Sequence, residues 1–264
     1  MDERLKANLD AWNQMARIHA ASRGYRLAEF KAGESVLKPI ELREVGDVRG
    51  KSLLHMQCHF GLDTMSWARL GAKVTGVDFS DDAIALARSI SDELKIPARF
   101  IQSNIYDAPA VLDEHFDIVF TSYGALCWLP DITRWAQVAA SFVKPGGFFY
   151  MAEFHPLTQM CPNDEGTTKL EYEISYFHTA MREDPPGPDY SDKSKIVSGT
   201  HQWMYRLGDI VSALAATRLR IEYLHEFPGC IYQHFPFMKQ SSDRSWHIEG
   251  DPIPTIFSIK ASKP

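Results

Sequence analysis

Along the first thirty residues, Leu5, Leu9, Trp12, Met15, Ala16, Ile18 and His19 recur three and four positions apart and form one stripe. That period predicts an amphipathic helix over residues 1–30. Residues 31–50 interrupt it with Gly33, Pro39, Gly46 and Gly50. From Lys51 short apolar runs at 52–56, 73–77, 99–102, 116–122 and 148–153 read as buried strands, and the segments 62–70, 81–94 and 131–143 between them read as helices. The punctuation agrees with this reading. Gly71 stands at a C-cap, and Ser80 caps a helix whose first turn carries Asp81 and Asp82. Ile96-Pro97 ends that helix, and Pro145-Gly146-Gly147 makes a tight turn into the fifth strand. Strands alternating with helices predict an α/β, doubly wound parallel sheet with helices on both faces.

After His155 the pattern changes. Residues 157–200 are polar and rich in turn residues, among them Pro162, Gly166 and Asp184-Pro185-Pro186-Gly187-Pro188. Within them 169–179 partly alternates and reads as a strand, with 196–205 as its partner. A structureless loop of this length is uncommon, so residues 157–206 are expected to fold as an insertion that works as a lid. The earlier rhythm then returns as a helix at 208–217 and strands at 219–226 and 254–261, with an aromatic-rich segment, 227–246, between the last two. The expectation is one domain over 1–264: an N-terminal cap (1–50), a core (51–156), the lid (157–206) and the rest of the sheet (207–264).

Composition narrows the choice of partners. The 264 residues carry a formal net charge of −6, which disfavours a nucleic-acid backbone as ligand. The start, MDERLKANL, is charged and has no secretory pattern, and no run approaches the roughly 20 apolar residues of a membrane helix. Cys58, Cys127, Cys161 and Cys230 are scattered without a CxxC pair, which reads as reduced thiols in a cytoplasmic protein. His55 and His59 are four apart but straddle a strand end and a turn, so no metal site is expected. The sequence has no GxSxG elbow and no Ser-His-Asp order, which argues against a hydrolase.

In an open parallel sheet, ligands gather beyond the carboxyl ends of the strands. Asp78 ends the second strand, 17 residues after Gly61 and 21 after Gln57, as one βαβ unit requires. A carboxylate there can accept both hydroxyls of a ribose, although it can also simply start the turn. The first loop, Gln57-Cys58-His59-Phe60-Gly61, keeps one glycine of a dinucleotide fingerprint, and Gln57 and His59 would crowd a pyrophosphate. The loop therefore favours an adenosine-type ligand over NAD.

The stretch LLHMQCHFGLDTMSWARLGAKVTGVDFS resembles the first two motifs of the class I S-adenosylmethionine-dependent methyltransferases, and in particular a bacterial subgroup with an LLHLQCHFG-like first motif. His55 stands where that family has an acidic residue. Gln57 and His59 stand at its first two glycines, and Gly61 at the last. FDIVFTSYGALCWLPD resembles the fourth-strand motif and VKPGGFFYMAEFHP the fifth. The resemblance implies a seven-stranded sheet with an antiparallel last strand, S-adenosyl-L-methionine as cofactor and S-adenosyl-L-homocysteine as product. It implies that Gln57, His59 and Gly61 lie along the cofactor and that Asp78 takes the ribose. Phe79 would also bind the cofactor, Asn104 and Ile105 would lie at the adenine, and Thr121, Ser122 and Tyr123 near the methionine moiety.

Methyl transfer from a sulfonium is an in-line displacement, so alignment of the nucleophile dominates and can remove roughly 7–11 kcal/mol of barrier. His155, just after the fifth strand, is the leading candidate for a general base, and Glu153 could orient it or bind substrate. Alternatively both only hydrogen-bond the loop backbone before Pro156. Tyr123 either donates to a ligand or packs. Trp128, Trp203, Tyr205 and Tyr232 can form an aromatic cage, with packing as the plainer reading. His201 is a second base candidate, and Trp12 and Tyr25 can close over the cleft. The expected function is transfer of a methyl group to an N, O or C nucleophile of a small-molecule acceptor, by a monomer or homodimer. Its rivals are methylation of protein or RNA and a non-catalytic module that binds the cofactor.

Overall fold

The computed structural model describes residues 2–178 and 181–264. Its centre is a seven-stranded sheet made of β1 (Ser52–Met56), β2 (Lys73–Asp78), β3 (Ala98–Gln102), β4 (Phe116–Ser122), β5 (Val143–Phe154), β6 (Arg220–Phe227) and β7 (Ile256–Ser262). The spatial order is β6-β7-β5-β4-β1-β2-β3. The first five strands run parallel, and β7 is antiparallel to both β5 and β6. The order reverses at β1, so the crevice beyond the ends of β1 and β4 is the topological switch point. This is the seven-stranded doubly wound sheet that the sequence led us to expect, down to the direction of the last strand.

The helices follow from local chemistry. Helix α1 (Glu3–Ala21) starts at Asp2, whose side chain accepts from the Arg4 N–H. It stops well short of residue 30, because the Ser22 hydroxyl donates to the His19 carbonyl and Arg26 adopts φ 54°. Two short helices, α2 (Leu27–Lys31) and α3 (Pro39–Val45), complete the N-terminal segment. Helix α4 (Leu62–Arg69) leads from β1 to β2. Helix α5 (Asp81–Leu94) is capped by Ser80, which accepts from the Ala83 N–H. Helix α6 (Ala108–Val111) is one turn. Helix α7 (Ile132–Phe142), capped by Asp131, packs beside α8 (Leu207–Ala215) on one face of the sheet. The core on that face gathers Trp135, Phe149 and Leu214. On the other side Phe60, Ile84 and Phe100 bury α4 and α5.

Three expectations needed correction. The Pro145-Gly146-Gly147 turn is a bulge within the longer β5, where Gly146 has φ 77° and a Cβ on Gly147 would lie 2.7 Å from the Asp117 carbonyl. Residues 169–178 do not form a strand, and Thr179 lies outside the described residues. Within 196–205, Ile196–Val197 and Thr200–Gln202 do pair, but with Gly187–Pro188 and Arg182–Asp184, which flank Pro185-Pro186.

Gly61 shows how tightly the first βα unit is built. It has φ 77°, and a Cβ there would lie 2.5 Å from Phe100 Cε1. Gly61→Ala is therefore expected to destabilise the protein by about 1–3 kcal/mol through overpacking, read as a lower melting temperature in a thermal scan. An unchanged transition would mean that Phe100 moves aside freely.

Candidate functional site

The first loop keeps the backbone of a glycine-rich turn without its glycines. Gln57 has φ 53°, His59 φ 52° and Gly61 φ 77°, so three alternate positions are left-handed. Two of them bear side chains that rarely adopt this conformation, at a cost of order 1–3 kcal/mol each. Part of the compensation is visible in Asp78. One of its oxygens accepts the His59 N–H at 2.8 Å and the other accepts the Ser80 N–H at 2.9 Å. Asp78 is 8% exposed, and burial pushes its carboxyl up to about 6 despite these N–H donors. Each oxygen keeps a lone pair for a further donor.

Around this loop lies a group of buried polar atoms without protein partners. Trp12 Nε1, both amide atoms of Gln57, His59 Nδ1, Thr121 Oγ1 and His201 Nδ1 make no hydrogen bond among the described residues. Thr121 is paired with Met56 at the end of β1, Trp12 meets His59 edge-on at 5.1 Å, and His201 is held against α1. These groups thus gather at the carboxyl edge of the sheet, under α1. Buried polar groups are normally satisfied, so a cluster of orphans marks a place built for a polar ligand.

The residues expected at the adenine follow β2 and β3, which are neighbours in the sheet. Asn104 Oδ1 accepts the Tyr106 N–H at 3.0 Å, which leaves its amide nitrogen free of that turn. Ile105 is buried, and the Phe79 carbonyl accepts from Gln102. Ser122 is engaged further along the edge. It donates to Asp63 at 3.0 Å and meets His55 Nε2 at 3.2 Å, while His55 Nδ1 meets Thr64 at 2.8 Å. Burial lowers the His55 imidazole to about 3, so His55 is a neutral linker where the resemblance has an acid.

The residues expected to act on the acceptor have other work. The Glu153 carboxylate accepts the N–H groups of Gly124, Ala125, Leu126 and Phe154 at 2.5–3.2 Å. It is 5% exposed and shapes the turn after β4. The His155 ring accepts the Leu157 N–H at Nδ1, 3.2 Å away. Its Nε2 therefore carries the proton and donates to Glu226 at 2.9 Å. No lone pair remains on His155 to act as a base, and its partner lies on the edge strand β6. The Tyr123 hydroxyl donates to Glu41 of α3 at 2.8 Å. Burial and Asp63 push the Glu41 carboxyl up to about 7.

The aromatic candidates divide. Trp128 meets Trp12 edge-on at 5.1 Å, and Tyr232 packs on Phe154 at 5.2 Å. The Trp203 N–H donates to the Cys127 carbonyl at 2.7 Å, and the Tyr205 hydroxyl to the Leu129 carbonyl at 2.5 Å. Trp203 and Tyr205 thus seam the insertion to the loop after β4. His201 exchanges two backbone hydrogen bonds with the amide of Asn8, each 2.8 Å, and the Gln14 amide of α1 donates to the Ser198 hydroxyl at 2.7 Å and accepts the Ser198 N–H at 3.1 Å. The insertion is therefore fastened to the sheet through α1.

Three residues that the sequence did not single out for chemistry belong to the site. His19 was counted on the apolar stripe of α1, yet it is fully buried with Asp189 and His59 as partners. Asp63 and Glu41 sit beside the His55–Ser122 link. A polar side chain at a stripe position, as with His19, is the one signal that could have found the first of them.

The fold and this edge define the class: the chain has the fold of the class I methyltransferases. Residues 53–147 match the family model of a methyltransferase domain. The chain is 31% identical over 153 residues to the ubiquinone biosynthesis O-methyltransferase of Proteus mirabilis, covering 56% of this chain and 62% of the relative. It is 33% identical over 131 residues to the enzyme of that name from Shewanella pealeana, covering 47% and 53%. The matches thus span between half and two thirds of these relatives' length. Among solved structures, an S-adenosylmethionine-dependent methyltransferase from Mesorhizobium loti superposes with a TM-score of 0.59 at 20% identity, over 84% of this chain and 95% of that one. The glycopeptide N-methyltransferase MtfA in complex with S-adenosylmethionine gives 0.56 at 16% identity, over 88% and 89%. Among the described residues no helix is long and apolar enough to cross a membrane.

Proposed function

We propose that the protein transfers a methyl group from S-adenosyl-L-methionine to a small-molecule acceptor. The observation that carries this reading is the cluster of unpartnered polar atoms on Trp12, Gln57, His59, Thr121 and His201 beside Asp78. These residues fit the cofactor: they offer donors and acceptors to a nucleoside and an amino acid, and no anion-binding glycine turn for a pyrophosphate. When bound, the cofactor supplies a methyl already activated by a positive sulfur.

Each part of this chain then has a defined task. Asp78 accepts the ribose hydroxyls with the lone pairs left by its two backbone donors. Asn104, Ile105 and Phe79 border the adenine. The Gln57 amide and the Thr121 hydroxyl take polar groups of the methionine end, while Trp12 and Trp128 turn aromatic surface toward a cation. Glu153 fixes the turn after β4 along which the acceptor lies, and α1 with the insertion excludes water. The relatives named O-methyltransferases favour oxygen as the nucleophile.

Calorimetric titration with S-adenosylhomocysteine tests this directly. One equivalent is expected to bind at micromolar concentration or below, while adenosine diphosphate and NAD do not compete. Absence of heat and of thermal stabilisation with S-adenosylhomocysteine would remove the proposal.

A further inference from the structure

The outer end of the sheet is covered unequally on its two faces. On one face Phe257, Ile259 and Ala261 of β7 join the core under α7 and α8. On the other face stands α3, which packs on β5 and ends after seven residues at Gly46, φ 75°. Beside it a cavity of about 780 Å³ opens along β6, and Arg43, Glu44, Tyr223, His225, Phe227 and Lys260 are in its lining. Tyr223, Lys260 and Tyr150 stand side by side on β6, β7 and β5, so this face of β7 forms the floor. Ser258, two positions from Lys260 on the same face and opposite His225, is fully buried, and its hydroxyl has no partner among the described residues.

The charges of this lining differ in what they have left to offer. Glu44 is almost fully screened from water and both its oxygens are engaged, one with His225 Nδ1 at 2.8 Å and the other by the Tyr150 hydroxyl at 2.9 Å. Glu226, also in the lining, is paired with His155 at 2.9 Å. The Arg43 guanidinium and the Lys260 ammonium have no carboxylate partner among the described residues. Each lies over a ring, Arg43 at 6.0 Å from Phe227 and Lys260 at 4.3 Å from Phe148. Tyr223 and His225 stack with centroids 4.2 Å apart and planes 9° from parallel, which presents a flat surface. The negative groups are thus spent on protein partners and the positive ones are not, so the cavity favours an oxyanion, and its rings favour a flat apolar part.

We propose that this cavity is a second binding site, for a small molecule that carries a phosphate or carboxylate on a flat ring. The oxyanion lies between Arg43 and Lys260, and the ring lies against Tyr223 and His225. The site is separate from the crevice beyond β1 and β4, because β7 and β5 stand between β6 and β4. It is nevertheless joined to that crevice by α3. Glu41, three residues before Glu44, accepts the Tyr123 hydroxyl at 2.8 Å, so one short helix borders both places. The ligand is held by charge and stacking alone and undergoes no reaction here, and the site does not depend on the proposed methyl transfer.

Calorimetry on the full chain with phenyl phosphate, benzoate, inorganic phosphate and phenol tests this. Phenyl phosphate and benzoate should each bind with one equivalent at millimolar concentration or below, equally well with and without saturating S-adenosylhomocysteine. Inorganic phosphate should bind about tenfold more weakly than phenyl phosphate for want of the ring, and phenol should not bind for want of the charge. Arg43→Gln and Lys260→Met should each weaken phenyl phosphate by about fivefold or more, with the melting temperature and the affinity for S-adenosylhomocysteine unchanged. Arg43 is exposed, so its variant decides the matter should Lys260→Met fold poorly. Nitrogen-15 spectra should show the His225 signals moving with phenyl phosphate while those of His59 stay in place. The proposal is overturned if neither phenyl phosphate nor benzoate binds at millimolar concentration, if S-adenosylhomocysteine displaces them, if phenol binds as well, or if Arg43→Gln keeps wild-type affinity. A protein that failed to bind S-adenosylhomocysteine yet passed these tests would lose the proposed function and keep this site.

Discussion

Asp78→Ala is expected to lower the affinity for S-adenosylhomocysteine by about 100-fold or more. Two charge-assisted hydrogen bonds to ribose hydroxyls are at stake, each worth about 1.5–3 kcal/mol. The variant also strips an acceptor from the His59 N–H, which Asp78 holds at 2.8 Å across a left-handed backbone position. A fall in melting temperature should therefore accompany the loss of affinity. Asp78→Asn separates the two effects, because one amide oxygen still accepts.

The pH dependence of binding follows from the same group. The folded carboxyl stands at about 6, above its unfolded value of 3.8. Between those two values the folded state holds a proton that the unfolded state has released, so the ligand-free protein loses stability as pH rises from about 4 to about 6. Affinity for the nucleoside moves the opposite way and rises through about pH 6, because the ionised carboxylate accepts hydroxyls with both oxygens. Titrations at several pH values should show this rise in wild type and a flat profile in Asp78→Asn. Wild-type affinity in Asp78→Ala would sink the ribose assignment.

Glu153→Ala is expected to have the largest effect on stability. The carboxylate satisfies four backbone N–H groups at the turn after β4, and it is nearly inaccessible to water. Leaving buried N–H groups without their acceptor costs about 1–3 kcal/mol each, so about 3–5 kcal/mol or more is at stake. For a domain of this size that corresponds to a fall of about 6–20 °C in melting temperature. Glu153→Gln should fall between, since its –NH₂ would confront donors that the second oxygen now accepts. Both variants should bind S-adenosylhomocysteine in proportion to the folded fraction. If Glu153→Ala instead melted like wild type while turnover collapsed, Glu153 would be acting on the acceptor and not on the turn.

The contrast between Asp78 and His155 shows what a linear reading can reach. Both follow strands at the edge where ligands gather, and both have chemistry suited to the expected reaction. Asp78 could be placed from spacing alone, because one βαβ unit fixes the distance from the first loop to the end of the second strand. His155 could not, because its availability depends on Glu226, which comes from a strand seventy-one residues later in the chain. Glu153 differs again: its neighbours in sequence suggested an orienting carboxylate, and its actual partners are mostly N–H groups of the turn after β4.

The order of short apolar runs and capped helices by itself determined the doubly wound sheet, and the motif resemblance added the direction of its last strand. Burial on both faces leaves a local mark, and so do caps and glycine turns. The spacing also placed Asp78 at the carboxyl end of the second strand. The tertiary structure alone decided which ring nitrogens are bare, which carboxylates are spent on backbone, and that α1 and the insertion meet over the first loop. Those properties belong to pairs of groups up to 193 residues apart. A side chain's free lone pair is set by what the fold brings beside it, and sequence carries no local trace of that neighbour.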